Sequence, residues 1–194
     1  MVSLQVLQVN VNHSRAGHSA AFMTAKDTNS DFLCIQDPYV VDGFPLGDAH
    51  GYPSFSSNRF NCVIYCLNPN LNYSFCNSSL NTVSLNIHFA NFTLRLTNAY
   101  FQPHDLIDNL ITEISHLGLN GFSDLLVGDF NAKSQVWGYG FEHHRGQVIS
   151  EFIALNNFML CNRTDLGPTF VTENAQGFPD LTLLSTARQD LLDS

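Results

Sequence analysis

Basic residues are scarce in this 194-residue chain: eight Lys and Arg stand against seventeen Asp and Glu, a formal net charge of −9. Proteins that hold a phosphate backbone by charge alone present a basic face that displaces counterions. This chain is therefore expected to bind a polyanion weakly, through a metal, or not at all. Long apolar runs are also missing. No stretch approaches the ~20 residues of a membrane helix, and residues 1–3 lead into "LQVLQVN" with neither a basic flank nor a cleavage-type segment. A soluble, intracellular chain without a membrane partner is the expectation. The five cysteines (34, 62, 66, 76 and 161) include no C-x-x-C, and their odd number argues against a disulfide framework. Cys62 and Cys66 fall on one face of "CVIYC", as small buried hydrophobes would. Sequons begin at Asn12, Asn72, Asn77, Asn91 and Asn162, but without a signal peptide they read as accidents of an Asn-rich sequence. No repeat, low-complexity tract or linker divides the chain, so one domain over 1–194 is expected.

What is present describes an ordinary globular core, with 44% hydrophobic and 13% charged residues. "LQVLQVN" (4–10) alternates as a strand does. "SRAGHSAAFMTAKDTN" (14–29) carries Ala, Phe and Met at helical spacing behind Ser14 as N-cap. "DFLCIQ" (31–36) is a buried strand stopped at Asp37-Pro38, because proline cannot continue a ladder. After a Gly/Pro loop come the strands "NCVIYCL", "NTVSLNIHF" and "FTLRLTNAYF", the last two joined as a hairpin at Ala90-Asn91. A helix over 104–118 closes at Gly118. The strand "LLVGDF" and a polar Gly-rich loop to Gly146 follow, then a helix over 147–157 and the short strands "FMLCN", "PTFV" and "DLTLLS". Strands in several runs with two or three helices between them favour a layered α/β or α+β sandwich.

Polar residues collect at the ends of these strands: Asn10 and Asn12 after the first, Asp37 after the second, Tyr100, then Asp129 with Asn131, and Asp180 opening the last. A rigid sheet aims polar groups into one cleft in this way. Taken singly, Asp37 is also an ordinary Asp-Pro turn, Asn10 and Asn12 could satisfy local backbone, and Tyr100 could be a core ring. "GDFN" followed by Trp137-Gly138 is harder to explain as a turn alone.

"GDFNAKSQVWG" resembles the G-D-[FL]-N-[AS]…W-G segment of the endonuclease/exonuclease/phosphatase superfamily, and most closely the endonuclease domains of non-LTR (LINE-type) retrotransposons. "LQVLQVNVNHSRAGHSA", "FLCIQDPYV", "TNAYFQP", "RGQVISEFIALNNFMLCN" and "PTFVTENAQGFPDLTLLS" resemble further segments of those domains in the same order, over nearly the whole chain. The resemblance implies a four-layer α/β/β/α sandwich of the deoxyribonuclease type and a Mg²⁺- or Mn²⁺-dependent phosphodiesterase. Its substrate partner would be DNA, met in the nucleus, with no small-molecule cofactor.

By matched position, Asp37 would carry the metal with Asn10. Asn12, Arg15 and Trp137 would contact substrate, and Tyr100 would donate to the scissile phosphate. Asp129 would orient or deprotonate the attacking water, Asn131 would hold its geometry or a phosphate oxygen, and Asp180 would hold a histidine. Two departures follow from the same match. Asp37 stands where the family has a longer Glu, and the family's further strand, Ser-Asp-His segment and closing strand have no counterpart before Ser194. An impaired enzyme is one expectation. A non-catalytic remnant and a small-substrate phosphoesterase of the same fold stay open as alternatives.

Overall fold

The structure, a computed structural model, describes residues 4–47, 51–118, 123–173 and 175–191. In chain order the elements are β1 (Val6–Asn10), α1 (Arg15–Asp27), β2 (Phe32–Gln36), β3 (Val40–Val41), β4 (Phe44–Pro45), β5 (Ser54–Ser56), β6 (Cys62–Cys66), β7 (Tyr73–Ser78), β8 (Thr82–His88) and β9 (Thr93–Tyr100). They continue with α2 (Ile107–His116), β10 (Asp124–Asp129), α3 (His144–Leu155), β11 (Phe158–Leu160), β12 (Phe170–Val171), β13 (Gln176–Gly177) and β14 (Asp180–Ser185). One sheet orders its strands β1-β2-β6-β5 and the other β11-β14-β10-β9-β8-β7.

Alternation of side chains explains the layering. In β2, Phe32 and Cys34 point inward between the sheets while Leu33 and Ile35 point out toward α1; in β6, Cys62, Ile64 and Cys66 point inward and Val63 and Tyr65 outward. A strand covered on both faces must be apolar throughout, and both β2 and β6 are buried at every residue. The inward residues meet Val83, Leu85, Ile87, Leu96 and Val127 of the second sheet. On that sheet's outer face, Leu126, Leu181 and Leu183 pack beneath Ile107, Leu110 and Ile114 of α2 and Ile149 and Phe152 of α3. The result is the expected α/β/β/α sandwich, with α1 on one side and α2 and α3 on the other.

Ser14 caps α1 as anticipated, its hydroxyl accepting from the Gly17 N–H at 3.0 Å. Gly118, at φ +63, follows the end of α2. Three features were not anticipated. The edge strand β7, the ribbon β3–β4 and β13, the partner of the expected strand β12, form in segments rich in turn residues. The helix α2 begins at Ile107 rather than 104. And α3 begins three residues before 147, because the His143 ring accepts the Gly146 N–H at 3.1 Å and caps the helix.

Candidate active site

The strand ends converge because of how the strands pair. In the parallel pair β9–β10, Tyr100 lies opposite Asp129, and in the antiparallel pair β10–β14, Asp129 lies opposite Asp180. In the first sheet, Asn10 ends β1 opposite Gln36, the residue before Asp37. The sheets meet here through polar contacts: Asn10 donates its amide to Asp129 Oδ2 at 2.8 Å, and Gln8 donates to the Gly128 carbonyl at 2.9 Å. Gly128 has no substitute at this point, since a Cβ would lie 2.1 Å from the Ala99 carbonyl oxygen.

Asn10, Asn12, Tyr100, Asp129, Asn131 and Asp180 all line one cleft of ≈ 750 Å³, within the usual size of a ligand site. Asp37 is set just behind this wall, 6% exposed. Its Oδ1 lies 2.9 Å from His13 Nε2, and its backbone N–H donates to the Asn61 carbonyl at 2.9 Å. Four residues here, Asn12, His13, Asp37 and Asn131, have φ between +46° and +52°. Residues with side chains rarely adopt this left-handed conformation, and Asn, Asp and His tolerate it better than most.

Arg15 sits exposed at the start of α1, outside the cleft wall. Trp137 is a correction. It is fully buried among Phe101, Phe130 and Ile149, with its indole N–H donating to the Ala132 carbonyl at 3.0 Å. Its donor is satisfied inside the fold, so the ring braces the loop after β10 from below rather than meeting a ligand.

The carboxylates carry more negative charge than their surroundings offset. Burial raises Asp129, while the amide of Asn10 and the backbone N–H of Asn131 hold it back, and the charge of Asp37 raises it again. Asp37 is raised by burial and lowered by His13. Tyr100 is pushed up to about 12 by burial and by the charges of Asp37 and Asp129, so its hydroxyl keeps its proton at neutral pH. Among the described residues, no three His, Cys, Asp or Glu side chains converge as a metal-binding group. What the site presents is mainly oxygen, from Asp37 with Asn10 and Asp129 beside it, with one ring nitrogen of His13 against Asp37. Such a set suits a hard cation that keeps most of its waters, such as Mg²⁺ or Mn²⁺, and suits zinc poorly.

Asp180 is half-buried, with its Oδ1 enclosed and lacking a hydrogen-bond partner among the described residues. Burial pushes it up to about 6, the charge of Asp129 adds to the rise, and Thr169 and Gln8 restrain it. No histidine hydrogen-bonds it among the described residues; His104 and His144 are exposed, and His143 is engaged as the cap of α3. The folded state thus holds the Asp180 proton more tightly than the unfolded chain does. Stability should fall as pH rises from 3.8 through about 6 and level off above. Asp180→Asn removes that loss, so urea unfolding without divalent ions should show a gain of up to about 3 kcal/mol at pH 8, vanishing near pH 4.

Sequence reasoning passed over Gln8 and His13 as site residues. Gln8 was within reach, since strand alternation puts it on the same face as Asn10.

None of the curated proteins compared matches the chain. Among solved structures, the endonuclease domain of TRAS1, a telomere-specific non-LTR retrotransposon, has a TM-score of 0.83 at 23% identity, covering 98% of this chain and 87% of that one. An AP endonuclease from Archaeoglobus fulgidus has a TM-score of 0.63 at 18% identity, covering 94% and 86%. TDP2 from D. rerio, complexed with a single-strand DNA product, has 0.60 at 12%, covering 95% and 84%. At these identities the structural likenesses establish the fold. The family is set by the sequence: the endonuclease-reverse transcriptase family model matches residues 94–192, the half of the chain that supplies Tyr100, Asp129, Asn131 and Asp180, and the chain belongs to that family.

Proposed function

We propose that the chain is a divalent-metal-dependent endonuclease that nicks DNA by phosphodiester hydrolysis, as in retrotransposon target-site cleavage. The supporting observation is the buried Asp129 carboxylate, held on one oxygen by Asn10 and on the other by the Asn131 N–H at 2.8 Å, with Tyr100 opposite it across the strand pair. Likeness in fold to two endonucleases, and to TDP2 complexed with a single-strand DNA product, agrees with DNA as the substrate.

Cleaving a phosphodiester gathers charge on oxygens that are already anionic. Mg²⁺ or Mn²⁺, held by Asp37 with Asn10, would supply the positive charge that the protein lacks. Asp129 takes the proton of the attacking water and is aimed for it by two fixed donors. Tyr100, protonated at neutral pH, donates to a phosphate oxygen without adding repulsion. Asn131, whose amide donates to the Phe101 carbonyl at 3.2 Å, holds the water-side geometry.

Supercoiled plasmid incubated with the protein and Mg²⁺ should convert to nicked circles. A chelator should stop the reaction and excess Mg²⁺ restore it. The unpartnered Asp180 oxygen favours a second reading, a remnant that keeps the fold but not the activity. Folded protein that leaves the plasmid supercoiled with either Mg²⁺ or Mn²⁺ would establish the remnant instead.

A further inference from the structure

Resting on the nuclease reading, we propose that Lys133 is a phosphate-binding residue of the cleft, holding the DNA strand beside the reacting groups and not taking part in the chemistry. Of the eight Lys and Arg, Lys133 is the one that lines the cleft among the described residues. The others are placed elsewhere. Arg59 pairs with Asp105, Arg95 with Asp124 and Arg163 with Asp165. Arg145 is held by backbone carbonyls, Arg188 lies over the Phe92 ring, Arg15 opens α1, and Lys26 lies in its last turn. Lys133 has no ion pair among the described residues, although the cleft holds three carboxylates in or just behind its wall.

Its position is built rather than incidental. The ammonium lies 5.9 Å from the centre of the Tyr139 ring and 5.5 Å from that of Phe141. Two ring faces attract a cation without neutralising it, so the charge stays available to an anion. Tyr139 is fixed in turn, its hydroxyl oxygen accepting the Phe178 N–H at 3.0 Å and its ring meeting Phe178 edge-on. The Lys133 backbone is tied to α3, its carbonyl accepting the His143 N–H at 3.1 Å. Close contact continues one turn on: a Cβ on Gly146 would lie 1.9 Å from that same carbonyl oxygen.

Lys133 follows Asn131 by two residues, at most about 7 Å along the chain, so its reach begins beside the reacting groups. A compact ammonium on a flexible stem suits a phosphate approached from varied angles and carries no base preference. In a chain with net charge −9, one uncompensated cation in the cleft would have a large share in strand affinity.

The test uses the full chain, its Lys133→Gln variant and Lys133→Arg. Binding to a fluorescein-labelled duplex is followed by anisotropy with Ca²⁺ between 50 and 200 mM salt, and nicking is followed with Mg²⁺. Lys133→Gln should weaken binding about five- to tenfold at low salt and reduce the slope of log Kd against log salt by about 1. It should raise KM and leave kcat within about twofold. Lys133→Arg should restore both affinity and slope. The residue is exposed, so the variants should melt as the wild type does. An unchanged salt slope, or a loss confined to kcat, would overturn the phosphate role while leaving the nuclease reading intact. Wild type that neither binds nor nicks would overturn both.

Discussion

Asp129→Asn should lower the rate of plasmid nicking by about 10²- to 10⁴-fold, the usual contribution of a positioned proton acceptor. The amide is nearly isosteric, so the cleft keeps its shape, but it cannot take a proton from water. The exchange also sets up a local conflict. Asp129 now accepts from Asn131 N–H on one oxygen and from the Asn10 amide on the other, both at 2.8 Å. With Asn at 129, one of those donors would face an NH₂ group. Turning the Asn10 amide over would relieve this, but its Oδ1 already accepts the Asn12 N–H at 2.8 Å. A loss in kcat with little change in DNA affinity would identify proton handling. Equal nicking by the variant would remove Asp129 from that role. The wild-type rate should also climb with pH beyond the ordinary carboxylate range, because burial raises Asp129 and the ionised form is the one that works.

Arg145→Met should destabilise the protein by about 2 to 4 kcal/mol, since it leaves carbonyl acceptors without a donor, and lower Tm by roughly 10 °C for a chain of this length. Its guanidinium donates to four backbone carbonyls: Phe130 at 3.0 Å, Asp105 at 2.9 Å, Phe101 at 3.0 Å and Gln102 at 3.1 Å. These belong to the loop after β9 and the loop after β10, and the arginine itself projects from α3. Lys offers three donors from a single atom and cannot span carbonyls spread over two loops, so Arg145→Lys should recover less than half of the loss. Activity should fall more than stability alone explains, since the Asn131 amide shares the Phe101 carbonyl with Arg145. Thermal melts beside nicking rates well below Tm would show the two effects separately.

The fold and most of the site were legible in the sequence because they depend on local rules. Alternation placed β2 and β6, Ser14 announced α1, and the Asp-x-Asn after an apolar strand marked the cleft. What escaped depends on where distant segments meet. Trp137 was read as facing substrate because nothing local says which side of a loop its ring takes; the Ala132 carbonyl decides it. His143 caps α3 through its ring, which carries no local signal. Arg145 carries no local mark of its role, since its four carbonyl partners come from remote loops. Lys133 stands out through rings six and eight residues away, a spacing with no periodic signature. His13, three residues beyond Asn10, meets Asp37 only because β1 and β2 run side by side.

The hydrogen bond from Asn10 to Asp129 joins one sheet to the other, so neither sheet alone determines the reacting geometry. The spacing between the sheets sets it, and that spacing is the thickness of the apolar filling around Cys34, Cys62, Ile64 and Leu85. None of those side chains lines the cleft, yet together they act as a shim: a bulkier or leaner filling would move Asp129 and Asn10 relative to each other while leaving every strand intact.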